Sequence, residues 1–175
     1  MTRTRDVATQ GGLVLLSSTT FSAVTSASID NVFSTTYQNY KVIISCTTQL
    51  TGGGSIFWAS RNSGVTDTTS NSYSISGVAQ ASGTITALNL QNQSSAFLGY
   101  SAFPSGTWGQ ISAEFFRPFE ATFTGFHSQS IGVNGGGSEA NSQSNGMRRT
   151  SAAHDGITFT FPYAASGSIR IYGYK

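Results

Sequence analysis

The sequence predicts an all-β protein of one domain, a jelly-roll-like antiparallel β-sandwich with long polar loops. Three observations carry that expectation. Apolar residues alternate or come in short runs, with no sustained helical period. β-Branched and aromatic residues are bracketed by Gly, Ser, Asn and Pro, which is how strands and turns are spelled. The 175 residues include 38% hydrophobic and 12% aromatic residues, enough to fill one core.

Residues 1–12 carry Arg3, Arg5 and Asp6 without a strand pattern and close on Gly11-Gly12, which predicts an arm that orders against a partner. Residues 13–175 form the sandwich domain. Strands are expected at 13–17, 27–33, 40–49, 55–61, 72–77, 84–90, 96–102, 108–117, 121–127, 156–162 and 168–174. Ten or eleven short strands suit two packed antiparallel sheets better than one open sheet with long edges.

The strands differ in how they are buried. Val42-Ile43-Ile44 does not alternate, as expected of a central strand covered on both faces, and Cys46 beside it reads as a buried small hydrophobe. In Ile157-Thr158-Phe159-Thr160-Phe161 the apolar residues face the core and both threonines face outward. Ile169 and Ile171 point one way, and Arg170, Tyr172 and Tyr174 the other, so that Tyr172 and Tyr174 are candidates for a subunit interface.

Three segments read as exposed loops: 51–54 as a hairpin connection, 61–72 as a polar stretch, and 134–153 as a long loop with almost no large apolar residue except Met147. The last holds the adjacent pair Arg148-Arg149, read as solvated. With Arg3, Arg5 and Asp6 this pair is assigned to partner binding.

Charge narrows the function classes. Only 9% of residues are charged, against roughly 25% in an ordinary soluble domain, and the net charge is +2. The few scattered basic residues make no stripe for phosphates, so nucleic acid is not an expected partner. A polar surface with little self-repulsion favours packing against identical neighbours or glycans, and predicts a homo-oligomer. One cysteine builds neither a disulfide framework nor a cysteine zinc site, and no apolar run is long enough for a membrane helix or a signal-peptide core. A chain made in the cytoplasm without processing is expected.

Catalytic candidates are few. His127, His154 and Asp155 with a serine would supply a hydrolytic triad, but no G-x-S-x-G elbow accompanies them, and Asp155-Gly156 reads as a turn with local hydrogen bonds leading into a strand. Glu114, grouped by register with Ser112 and Phe116, and Glu120 are the carboxyls a glycosidase would use, with Arg117 placed to pair with either. A metal site would need one histidine from each subunit of a trimer. Phe57, Trp58, Tyr73, Phe103, Trp108 and Tyr172 could stack on sugars if any lie at loop tips, although most are expected in the core. The sequence thus predicts a non-enzymatic protein without cofactor or metal.

The segments Arg5-Asp6-Val7-Ala8-Thr9-Gln10-Gly11-Gly12-Leu13-Val14-Leu15-Leu16, Tyr37-Gln38-Asn39-Tyr40-Lys41-Val42 and Gly167-Ser168-Ile169-Arg170-Ile171-Tyr172-Gly173-Tyr174 resemble β-rich virion proteins of tailed bacteriophages, marine and cyanobacterial ones especially. The resemblance implies a capsid decoration, knob or head-fibre protein, or a tail-fibre or receptor-binding part. Its implied partners are the major capsid protein or tail proteins, with host surface polysaccharide for the tail alternative, and a trimer is expected because capsids offer threefold positions. The implied location is the virion, and no catalytic residue is carried over.

Overall fold

Two long strands, β1 (Val14–Ile29) and β11 (Gly156–Tyr174), run antiparallel and frame the rest of the chain. The structure, a computed structural model, describes residues 12–49, 53–70, 72–102, 109–133 and 138–175. Between the frame strands lie β2 (Asn39–Gln49), β3 (Gly53–Asn62), β4 (Val65–Thr66), β5 (Tyr73–Ala81) and β6 (Thr84–Gln93), then β7 (Ala96–Ala102), β8 (Gly109–Phe116), β9 (Thr124–Val133) and β10 (Glu139–Arg148). They form one sheet in the order β4-β3-β11-β2-β8-β9-β10-β5-β6, with β1 added to β11 and β7 to β3. The protein is all-β and single-domain, and its antiparallel sheet is curled into a half-barrel.

The curl comes from β11 changing partners. Residues 156–160 pair with β3, whereas 165–174 pair with β2. Pro162 falls between the two sets, where its missing N–H costs no ladder bond. This switch brings β7, at the far side of β3, face to face with β9 and β10 across the interior. β1 follows β11 throughout by means of three register shifts, and Ala23 within them has φ 51°. Two hairpins turn through Ser63-Gly64 and Ser82-Gly83, all four residues at positive φ, the backbone that matches strand twist in a two-residue loop.

The interior is filled in two ways. Around β3, β5, β8 and β9 it is aromatic: Trp58 meets Tyr73, Phe115 and Phe126 edge-on at ring-centroid distances of 5.2, 4.8 and 5.4 Å. Phe33 and Tyr40 extend the cluster, and Tyr40 both donates to the carbonyl and accepts from the N–H of Ser34. Under β7 the filling is small and polar. Ser128 and Ser144 stand 2.6 Å apart with their hydroxyls reaching the carbonyls of Leu98 and Phe97, and Ser130 and Ser142 form a second 2.6 Å pair. Gly99 completes this seam, since a Cβ there would lie 2.6 Å from that of Ser130.

Several expectations are revised. Segments 13–17 and 27–33 contain the two ends of one strand, whose middle is an edge segment mostly of Ser, Thr and Ala with only Phe21 and Val24 as larger apolar residues. Val32 and Phe33 instead lie beyond it, buried, with both N–H groups donated to the Asp155 carbonyl. Segments 156–162 and 168–174 are likewise one strand, β11. Part of the expected loop 134–153 is the ten-residue β10, whose inward positions are small because they face the backbone of β7. The polar stretch 61–72 contains the short β4. Thr158 points outward as expected but is covered on that side by Ser28, Arg61 and Thr66, while Ile157, Phe159 and Phe161 are buried as expected. Ile43 is only half-buried, so β2 is covered fully on one face. Cys46 is in the core, and burial pushes its thiol up to about 12.

Candidate functional site

The outward side chains of seven consecutive strands fall into register. One row runs Tyr172, Lys41, Glu114, His127, Asn145, Ser76, Asn89 across β11, β2, β8, β9, β10, β5 and β6. The next runs Arg170, Ile43, Ser112, Gln129, Gln143, Val78, Ala87, and a third ends in Ile131, Asn141, Gln80 and Ile85. The period-two pleat puts these residues on one face, because their neighbours in the strands from β11 to β5 fill the core and those of β6 border it. The result is a broad surface of amides and hydroxyls dotted with single apolar side chains. Its charges in these rows gather toward one side, where Lys41 and Glu114 approach to 3.9 Å. Partial burial, then the Glu114 charge, raises the Tyr174 hydroxyl above its ordinary value. A surface of this chemistry can exchange hydrogen bonds without stripping water from many charges.

At one end of the interior lies a polar cluster built on Arg148, and beside it, on the outward side of β3, a second one built on Arg61. Arg148 donates through Nη2 to Asp67 Oδ2 at 2.5 Å and through Nη1 to Thr150 O and to His154 Nε2, both at 3.0 Å. Guanidinium nitrogens only donate, so His154 Nε2 is an acceptor and the ring is neutral with its proton on Nδ1. Burial, and next the Arg148 charge, push the His154 pKa down to about 4. Burial opposes ionisation of Asp67, yet hydrogen bonds from Thr69 and Arg148 outweigh it and hold the carboxyl below its usual value. Arg61 forms the second hub: it donates to Asp30 at 2.6 Å and to Thr66, Ser28 and Thr158. Between the hubs opens a cleft of about 450 Å³ lined by Thr66, Thr68, Thr69, Thr150 and His154 among others. Its guanidinium groups are engaged with carboxylates and carbonyls already, which gives the cluster the character of a clamp between β3, β10 and the 149–155 segment.

The sequence-predicted residues are therefore scattered. Arg148 is 3% exposed and spends its charge inside the fold, which corrects its reading as solvated: Asp67, 81 residues away, is the partner that draws it in. Arg149 is half-buried, with its N–H given to Ser72 O and Nη2 to Asn92 Oδ1. Arg3, Arg5 and Asp6, like Phe103 and Trp108, lie outside the described residues. Tyr172 and Tyr174 are half-exposed on the outer face. His154 and Asp155 precede β11 as expected, but their bonds are long-range: His154 N donates to Pro118 O and Asp155 N to Arg61 O. His127 is on the outer face, away from His154 in the interior. Ser112, Glu114 and Phe116 do share that face, while Arg117 pairs with Glu120 at 3.6 Å. Trp58 and Tyr73 are core, and Phe57 is half-buried.

With this geometry in hand, comparison with protein-family models, with curated proteins and with solved structures finds no match. Among the described residues no group of three or more His, Cys, Asp and Glu is arranged to hold a metal ion.

Proposed function

We propose that this chain is a non-enzymatic structural protein of a bacteriophage particle, a capsid decoration or cement protein that works by binding its neighbours. The observation that carries this reading is the seven-strand outer face, wide, nearly neutral and rich in amides and hydroxyls. A protein that clamps a shell needs area rather than a cleft. The sequence resemblance supplies the phage assignment and the major capsid protein as partner, and a trimer is the oligomer order that the threefold positions of a capsid suit. In the finer architecture the β3–β7 part and the β2–β8–β9–β10–β5 part act as the two layers of a jelly-roll-like sandwich, joined through β11. The arm with Arg3, Arg5 and Asp6 adds a second contact to the shell.

Quantitative mass spectrometry of purified particles tests the assignment. Hundreds of copies relative to the major capsid protein fit a shell decoration; absence from the particle overturns it. A tail-fibre or tail-tip module is the second reading, favoured by the same amide rows because they suit sugar hydroxyls, and a few to a few dozen copies would select it.

A further inference from the structure

We propose that β6 is a self-association edge: two copies of this chain pair their β6 strands antiparallel about a twofold axis, continuing the sheet from one subunit into the other. The free edges of the described sheet are not equal. β1 is broken by three register shifts and β4 has only two residues. On β7 the Phe97 and Leu98 carbonyls accept serine hydroxyls from the facing strands. β6 carries an irregularity of this kind only near its end, beyond Leu90. It is ten residues long, Thr84–Gln93, holds no charged residue and no proline, and no described strand pairs with its outer side. Natural edges of this length are normally blunted by lysine, proline or a bulge, because a row of unpaired N–H and C=O groups is a template for another strand.

A second copy is the occupant that the sequence of β6 fits. In an antiparallel pair about a twofold axis each residue near the axis meets its own counterpart or a close neighbour, so any charge there would face a like charge. The stretch with regular pairing to β5 is 84–90, since the register shifts beyond Leu90 and Asn92 sits at φ 59°. Ala87 is its midpoint. Centred there, Ala87 meets Ala87, Thr86 meets Leu88, Ile85 meets Asn89 and Thr84 meets Leu90. Leu88 and Leu90, packed against the margin of the core but only half-buried, gain cover from the second strand, as does Ile85, 71% exposed on the outer face. The small axial residue permits close approach. This inference stands apart from the phage assignment and replaces the threefold order with a twofold one.

Light scattering on the purified full chain decides it. The expected mass is twice 18.4 kDa for the wild type. Ala87→Lys, on an exposed position, should give the single-chain mass with an unchanged far-ultraviolet spectrum. Ala87→Cys treated with a short bis-maleimide should cross-link to a covalent dimer, while Ile131→Cys, also exposed but away from the edge, should not; Cys46 is buried and stays out of the reaction. A monomeric or trimeric wild type, or a dimer that survives Ala87→Lys, overturns the proposal.

Discussion

The aromatic end of the interior and the serine-glycine seam under β7 solve the same problem, keeping two parts of a curled sheet together, by different physics. Trp58, Tyr73, Phe115 and Phe126 hold their strands apart at ring thickness and stabilise by burying large apolar areas. The seam removes side-chain volume until hydroxyls on β9 and β10 reach the backbone of β7. In the seam two hydroxyl protons serve three contacts, Ser128 to Leu98 O, Ser144 to Phe97 O and serine to serine, so at any moment one of the three is without a proton. The aromatic end tolerates rearrangement of volume but not loss of it. The seam tolerates loss but not addition.

The largest break should come at the rings. Phe115→Ala is expected to cost about 3–5 kcal/mol in urea unfolding, because a fully buried ring leaves a cavity that its neighbours cannot close. Acid should distinguish the two regions next, since Asp67 and His154 border the aromatic end. His154 has a folded pKa below its ordinary value, so its contribution is complete above pH 6.5 and is lost as pH falls toward about 4. The loss over that window should be on the order of 3 kcal/mol, and His154→Gln should flatten it. Asp67, also lowered, adds a further loss on the acid side of the ordinary carboxylate range. At the seam Gly99→Ala should cost about 1–3 kcal/mol by overpacking, and Ser130→Gly in the same chain should recover part of it. The smallest effect belongs to the hydroxyls: Ser128→Ala and Ser144→Ala should each cost about 1 kcal/mol, with the double variant less destabilised than their sum.

The same contrast explains what could be read from the sequence. Strands β2, β3, β7, β8 and the ends of β11 were legible because large apolar residues alternate or cluster in them, as in Ile157-Thr158-Phe159-Thr160-Phe161. β10 was not, because a strand whose inward positions are Ala140, Ser142 and Ser144 has no hydrophobic period to detect. One signal was available: Ser128-Gln129-Ser130 and Ser142-Gln143-Ser144 are the same tripeptide, and they turn out to lie directly opposite each other. The outer face was half legible. Tyr172 and Tyr174 were placed outward by alternation, whereas the rows through β9, β10 and β5 depend on register between strands far apart in the chain. Nothing local could announce the Arg148–Asp67 pair, since adjacent arginines in a polar stretch look solvated unless the carboxylate that meets one of them is known.

The pairing of Val14 with Gly173 places the first and last described strands edge to edge, with their outer ends at one corner of the molecule. A pull applied to those two ends would open the β1–β11 ladder one rung at a time from that corner, like a zip, rather than shear all its bonds together. A tag joined after Lys175 would emerge at the same corner as Val14, so a cargo carried there would sit beside the first described strand.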